Sequence, residues 1–334
     1  MQKKALLIGG TGALGHYLTP ALLEMGYKVD VVSLESMISN NPNLRYIEAN
    51  AKKIDVLKEL LKNEYNVIVD FLIYRSPEEF ANYYKLYLEN TDHYVFLSSY
   101  RVYSGETPIT ELSPRLLDVT TDQTLLNSGD YCIYKAQQED MLRSSGHKNW
   151  TILRPAITYS YRRYQLVTLE ADVFVYRMLR GKTVVVPDVA LGKFATMSWA
   201  GDFGTAVSRL ILNPMAMGQV YTVSTSENNT WEKIADIYKK VGGLKLVVTD
   251  TENYLNILGA GDIGKQLVKQ QLVYDRYFDR IVDNTKLLNA TGMKQSDFMP
   301  LSKGLPMELA KATIENIKCN IEVNRRMDEF LAKY

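Results

Sequence analysis

The chain has 334 residues, 46% of them apolar and 23% charged, and a formal net charge of +1. That length allows one large or two modest domains around a substantial core. The balance of charge offers no basic footprint for nucleic acid or an anionic membrane, and no apolar run is long enough to span a bilayer.

In chain order, the first element is the apolar run 4–8, which predicts a buried strand. It turns into Gly9-Gly10-Thr11-Gly12-Ala13-Leu14-Gly15, and a helix over 15–25 follows. Glycines spaced G-x-x-G-x-x-G at a strand-to-helix turn suit a dinucleotide pyrophosphate. Gly9 lets the chain turn, Gly12 lets backbone N–H groups approach the phosphates, and Gly15 lets helix and strand pack closely. Strands over 27–33, 44–48, 67–72, 94–98 and 150–153 then alternate with helices over 54–62, 77–89 and 131–144. Right-handed crossovers between them predict an α/β fold, a doubly wound parallel sheet of the Rossmann type with ligand at the carboxyl ends of the strands.

After Arg154-Pro155 the alternation loosens. The pattern there predicts a helix over 174–180 stopping at Gly181, a strand over 184–186, helices over 201–212 and 230–240, and a helical tail over 309–332. Residues 1–155 read as a dinucleotide-binding domain and 156–334 as a smaller substrate-binding lobe, partly interleaved with it. The opening Met-Gln-Lys-Lys precedes too few apolar residues for a signal peptide, so a cytoplasmic setting is expected. Cys132 and Cys319 form no disulfide framework, and the single histidines His16, His93 and His147 lack metal-ligand spacing, so no metal is expected.

Chemistry concentrates in two places. Tyr131-Cys132-Ile133-Tyr134-Lys135 is the only Tyr-x-x-x-Lys in the chain, and on a helix it puts a phenol and an ammonium on one face. A nearby cation favours phenolate, giving a group able to exchange a proton with a substrate hydroxyl. Upstream, a strand ends in Ser98-Ser99, where a hydroxyl can steady charge developing on a substrate oxygen. Glycine loop, strand-end serine and Tyr/Lys helix in this order form a far more specific combination than any one of them.

With Tyr100-Arg101-Val102-Tyr103 after the serines, Leu153-Arg154-Pro155, and the later stretch Val282-Asp283-Asn284-Thr285-Lys286-Leu287, the chain resembles the extended short-chain dehydrogenase/reductases, the branch of NAD-dependent epimerases and dehydratases. The resemblance implies that Tyr131 is the acid/base, that Lys135 holds the nicotinamide ribose and lowers the Tyr131 pKa, and that Ser99 orients the reacting oxygen. It also implies that Gly9, Thr11, Gly12, Ala13, Leu14 and Gly15 surround the pyrophosphate, that Ser33 and Asn50 face the adenosine, and that Leu72 lines the cofactor at the fourth strand's end. The expected activity is an NAD(P)-dependent epimerase or oxidoreductase, acting on a hydroxyl or keto group of a small molecule. A homodimer is common in the superfamily and is implied in the same way.

Departures narrow this picture. Tyr100-Arg101 replaces the Asp-Glu pair of the dehydratases, which argues against 4,6-dehydration. No Asn follows Arg154-Pro155 as in sugar-nucleotide epimerases. The bulky Phe71-Leu72-Ile73-Tyr74 resembles instead a divergent subgroup related to chloroplast stem-loop RNA-binding proteins. At the end of the second strand, Ser33 takes the usual carboxylate position, no cation is near in sequence, and Glu35 opposes a 2′-phosphate. NAD is therefore favoured over NADP. Arg101, Arg162 and Arg163 could meet an anionic substrate group, while Tyr159, Tyr161 and Tyr164 suit packing between lobes. Cys132 reads as a small packing residue. A second reading is a cofactor-binding regulatory or RNA-associated protein without turnover, against which the near-zero charge and the intact Ser/Tyr/Lys set stand.

Overall fold

The apolar runs pair as parallel strands. In the computed structural model, which describes residues 2–333, β1 (Lys4–Ile8) lies between β2 (Lys28–Ser33) and β4 (Tyr65–Asp70). Outside β2 lies β3 (Leu44–Glu48); beyond β4 come β5 (Thr91–Leu97), β6 (Trp150–Pro155) and a seventh strand, Gln219–Val223. Ile8 stands opposite both Val32 and Asp70, so three strands end level and their loops leave from one edge. Strand order reverses at β1, which opens a crevice between the loops after β1 and β4.

β1 is buried on both faces, as a central parallel strand should be. Ala5 and Leu7 pack with the helices Gly15–Glu24 and Ala200–Leu210; Leu6 and Ile8 pack on the other face with Leu57 and Leu61 of the helix Ile54–Leu61. The sheet is therefore the expected Rossmann type, and one covering helix and one strand come from beyond residue 155. His93 is a core residue: its Nδ1 accepts from the Leu212 N–H at 2.9 Å, and burial pushes its pKa down to about 4. Among the described residues, no helix is long and apolar enough to cross a membrane.

The structure departs from the sequence pattern in identifiable places. The helix expected over 77–89 is two, Pro77–Ala81 and Tyr84–Glu89. The Asn82 amide turns back onto the Glu78 carbonyl at 3.2 Å, and the Tyr83 hydroxyl reaches the Lys52 carbonyl at 2.8 Å, so the chain bends between them. The tail expected to be helical over 309–332 is helical only at Leu309 and over Ile321–Leu331. Thr313 and Asn316 bond each other's backbone N–H groups between those points, offering an alternative to the helix ladder. The strand Gln219–Val223 and the helices Thr251–Leu258 and Gly261–Gln271 were not expected.

One buried ion pair orients the helix Tyr131–Arg143 on the sheet. Glu139, fully buried, accepts from Arg154 Nε at 2.8 Å and Nη2 at 2.5 Å, and from the Ser98 hydroxyl at 2.6 Å. The Arg154 guanidinium also lies over the Tyr103 ring, 4.5 Å from its centroid. Burial disfavours the Glu139 carboxylate, but Arg154 and Ser98 outweigh it and hold its pKa below the ordinary value.

Removing one partner should leave an uncompensated buried charge. Glu139→Ala is expected to lower the unfolding free energy by about 3–5 kcal/mol in urea titrations. Arg325→Ala, which breaks only exposed pairs, should cost under about 1 kcal/mol. Since the folded pKa of Glu139 is depressed, its contribution should be present above the carboxylate range and fade as pH falls through it.

Candidate active site

The glycine loop sits at the level end of β1. Gly9 has a φ of +72°, which only glycine adopts readily, and its N–H donates to the Val32 carbonyl at 2.8 Å. At Gly15 an added Cβ would lie 2.2 Å from the Gly10 carbonyl oxygen, so the helix start rests directly on the loop. At Gly12 an added Cβ would meet only the Gly9 carbonyl at 3.8 Å, which leaves the loop's outer face open. Leu14 forms the helix N-cap without a side-chain bond, and no acidic residue occupies the first turn. A bare helix N-terminus above an open loop is suited to a pyrophosphate.

Beside the loop, a cleft of about 330 Å³ is lined by Gly9, Thr11, Ser33, Glu35, Asn50 and Leu72 among others. The structure thus gathers the sequence-derived adenosine-side residues around one space. Their polar groups are partly engaged. The Ser33 hydroxyl accepts from the Glu35 N–H at 3.0 Å and so closes its own turn. Asn50 Oδ1 accepts from the Lys52 N–H at 3.0 Å, and Lys52 pairs with Glu79 at 2.6 Å. The Leu72 N–H donates to Asp70, a buried carboxylate that also takes the Tyr74 and Tyr94 hydroxyls, each at 2.9 Å. Of the bulky residues after β4, Tyr74 is accounted for by this knot, in which it is fully buried, whereas Ile73 is exposed. Gly12 and Ala13 border a second cleft, of about 520 Å³.

At the ends of β5 and the clamped helix, the other candidates meet. Ser99 ends the strand and caps a short turn, its Oγ accepting from the Arg101 N–H at 3.2 Å. Tyr131 opens the helix, capped by Asp130, and Ser99 is among the groups near enough to act on its phenol. Lys135, one turn on, is buried; its Nζ donates to the Leu97 carbonyl at 2.8 Å and lies 5.9 Å from the Tyr131 ring centroid. Burial lowers the Lys135 pKa to about 8.

The electrostatics differ from the sequence expectation at one point. Burial raises the Tyr131 pKa above its ordinary value, and the groups that oppose the rise are Arg101, Arg163 and Ser99 rather than Lys135. The Arg101 guanidinium lies 5.4 Å from the Tyr131 ring centroid, between Asp130 at 3.4 Å and Asp275 at 3.5 Å. Asp275 also pairs with Arg276 and, at 3.0 Å, with Arg280. This charge cluster comes from the turn Leu272–Arg276, where no sequence pattern marked a site. Glu139 was also missed, although its i+8 spacing from Tyr131 could have placed it on the same helix face. Cys132 is buried with its thiol pKa pushed up, chiefly by burial, consistent with a packing role. Tyr159 and Tyr164 are fully buried, whereas Tyr161 stacks edge-on against His16.

Comparison with known proteins places these features. A family model described as NAD(P)H-binding matches residues 9–190. The fold resembles dTDP-glucose 4,6-dehydratase from Bacillus anthracis str. Ames, solved with NAD, at a TM-score of 0.70 and 15% identity, over 92% of this chain and 96% of that one. UDP-glucose 4-epimerase from Thermus thermophilus, also solved with NAD, aligns at a TM-score of 0.66 and 15% identity, over 92% and 98%. A curated relative, chloroplast stem-loop binding protein of 41 kDa b from Arabidopsis thaliana, is 23% identical over 257 residues. That match takes in 72% of this chain but only 64% of the relative's length. Since the family match begins at the glycine loop and covers more than half of the sequence, the chain belongs to the NAD(P)H-binding family, in the fold shared with extended epimerases and dehydratases.

Proposed function

We propose that the protein is an NAD(P)-dependent oxidoreductase or epimerase acting on a hydroxyl or keto group of a small molecule. The observation that carries this reading is the meeting of Ser99, Tyr131 and Lys135 at the same sheet edge as the open glycine loop. When bound, the nicotinamide supplies or accepts the hydride. Tyr131, kept protonated near neutrality by burial, donates its phenolic proton to a carbonyl oxygen and recovers one from an alcohol. The Ser99 hydroxyl donates a hydrogen bond to the same oxygen as negative charge builds on it. Arg101 and Arg163 favour the phenolate that remains, and Asp130 and Asp275 hold Arg101 in place. Without a carboxylate pair after Ser99, the site lacks the groups for elimination of water, which favours redox or epimerisation. NAD is the favoured cofactor, because Glu35 opposes a 2′-phosphate at the ribose end of the cleft.

A second reading draws on the relative named for stem-loop binding: attachment to structured RNA without hydride transfer. The net charge of +1 weighs against it. Salt-sensitive binding of a hairpin RNA, with no oxidation of NADH across a carbonyl panel, would favour it over the enzyme.

Tyr131→Phe is expected to keep NADH affinity within about twofold while turnover falls roughly 10²–10⁴-fold. Near-full activity in that variant would remove Tyr131 from the mechanism. Lys135 gives a separate pH test. NADH affinity should weaken as pH rises past about 8, where the buried ammonium loses its proton, well below the ordinary lysine value of 10.5. Lys135→Met should bind weakly at every pH and lack that alkaline limb.

A further inference from the structure

The turn Tyr161-Arg162-Arg163 follows the short strand Ile157–Tyr159 that succeeds β6, yet it reaches the glycine loop. Ser160 and Arg163 close it with reciprocal backbone hydrogen bonds of 2.9 Å. Glu308, fully buried on the helix Leu301–Leu309, anchors it by accepting the Tyr161 N–H at 2.8 Å. The same carboxylate takes the Tyr17 hydroxyl and the Trp199 Nε1–H, each at 2.7 Å, so the turn is fixed to the helix that leaves the glycine loop.

Arg162 is presented outward from this anchor. Its Nη1 donates to the Thr11 carbonyl at 2.9 Å, and the same nitrogen lies 3.9 Å from Glu35 Oε2. Thr11 belongs to the glycine loop and Glu35 to the segment just after β2. One guanidinium therefore stands between the pyrophosphate cradle and the mouth of the ribose cleft. Arg162 also borders the 520 Å³ cleft with Gly12, Ala13 and Lys318. Arg163 acts in the other direction, on Tyr131.

Arg162 Nε donates to the Tyr161 hydroxyl at 2.8 Å, which steadies the guanidinium, while the contacts made by Nη1 are replaceable. The Arg162 side chain is 33% exposed, its loop acceptor is a neutral carbonyl, and Glu35 lies beyond hydrogen-bond length. A phosphate oxygen is the stronger acceptor, because a charge-assisted bond is about twice as strong as one to a neutral group, and guanidinium matches phosphate with paired donors. We propose that Arg162 is a phosphate-binding residue for the dinucleotide, exchanging the Thr11 carbonyl for the pyrophosphate. The pyrophosphate rather than a 2′-phosphate is its target. Thr11 marks the phosphate loop, whereas Glu35 opposes further negative charge at the ribose end. The inference rests on the NAD(P)H-binding family match and not on the proposed chemistry of Tyr131.

Calorimetric titration of the full chain with NADH, NADPH, ADP and adenosine tests it, comparing wild type with Arg162→Ala. The Kd values for NADH, NADPH and ADP should each rise roughly tenfold, the adenosine Kd should stay unchanged, and the melting midpoint should not move. Arg162→Lys, which keeps the charge without the fork, should recover part of the loss. Unchanged ADP binding in Arg162→Ala overturns the proposal. A loss confined to NADPH also overturns it, by pointing to the 2′-phosphate, and an equal loss for adenosine overturns it as general damage to the cleft. Tyr131→Phe should leave ADP and adenosine affinities unchanged and NADH and NADPH affinities within about twofold, so failure of the catalytic reading and failure of this one are separately visible.

Discussion

Glu139 carries its charge with no exposure to water, between the helix Tyr131–Arg143 and the strands β5 and β6. A buried carboxylate is tolerated only when its partners are complete, and here Arg154 and Ser98 supply them. That requirement fixes how the helix is rotated on the sheet. Tyr131, Lys135 and Glu139 are spaced by four residues along one helix face, so orienting Glu139 orients the other two. The extended backbone just past β5 does the rest: Ser98 turns into the ion pair, and Ser99, its neighbour, acts on Tyr131. A structural charge deep in the sheet thereby aligns a phenol, an ammonium and an alcohol at its edge.

Around Tyr131 the local field is a contest between burial and borrowed charge. Burial holds the phenol in its protonated form, while guanidinium groups from two distant segments favour the anion. Arg101 is itself held between Asp130 and Asp275, and since Asp275 also pairs with Arg276 and Arg280, three guanidiniums face two carboxylates in the cluster. Lys135 sits within 4.5 Å of the Phe96 ring centroid and bonds the Leu97 carbonyl, which ties it to the strand end. Its place is set by the backbone, and the tuning of Tyr131 falls to residues that resemblance alone did not assign.

Local pattern made the first half of the fold readable. Apolar runs of five or six residues, punctuated by glycine and by helical spacing, are set by neighbours in sequence, and they place β1 to β6 closely. The glycine loop was readable for the same reason, since Gly9 and Gly15 answer to local geometry. Where side chains compete for the backbone or distant segments decide the outcome, the pattern failed. Asn82 and Tyr83 divide a helix through contacts to Glu78 and Lys52, and Asn316 diverts the tail through Thr313. Asp275, Arg280 and Glu308 are far from the site in sequence, and only packing brings their charges to it. Ser33 shows a finer limit: its position at the end of β2 was readable, but the turn that engages its hydroxyl was not.

Glu308 has a consequence for how the chain is made. Tyr17, Tyr161 and Trp199 all donate hydrogen bonds to this one carboxylate, which is separated from Tyr17 by 291 positions. During synthesis, the nucleotide cradle emerges from the ribosome well before its buried acceptor, which follows Tyr17 by those 291 positions. Sheet and loop can assemble vectorially, but the anchored turn beside the cleft must wait until the helix Leu301–Leu309 has been made.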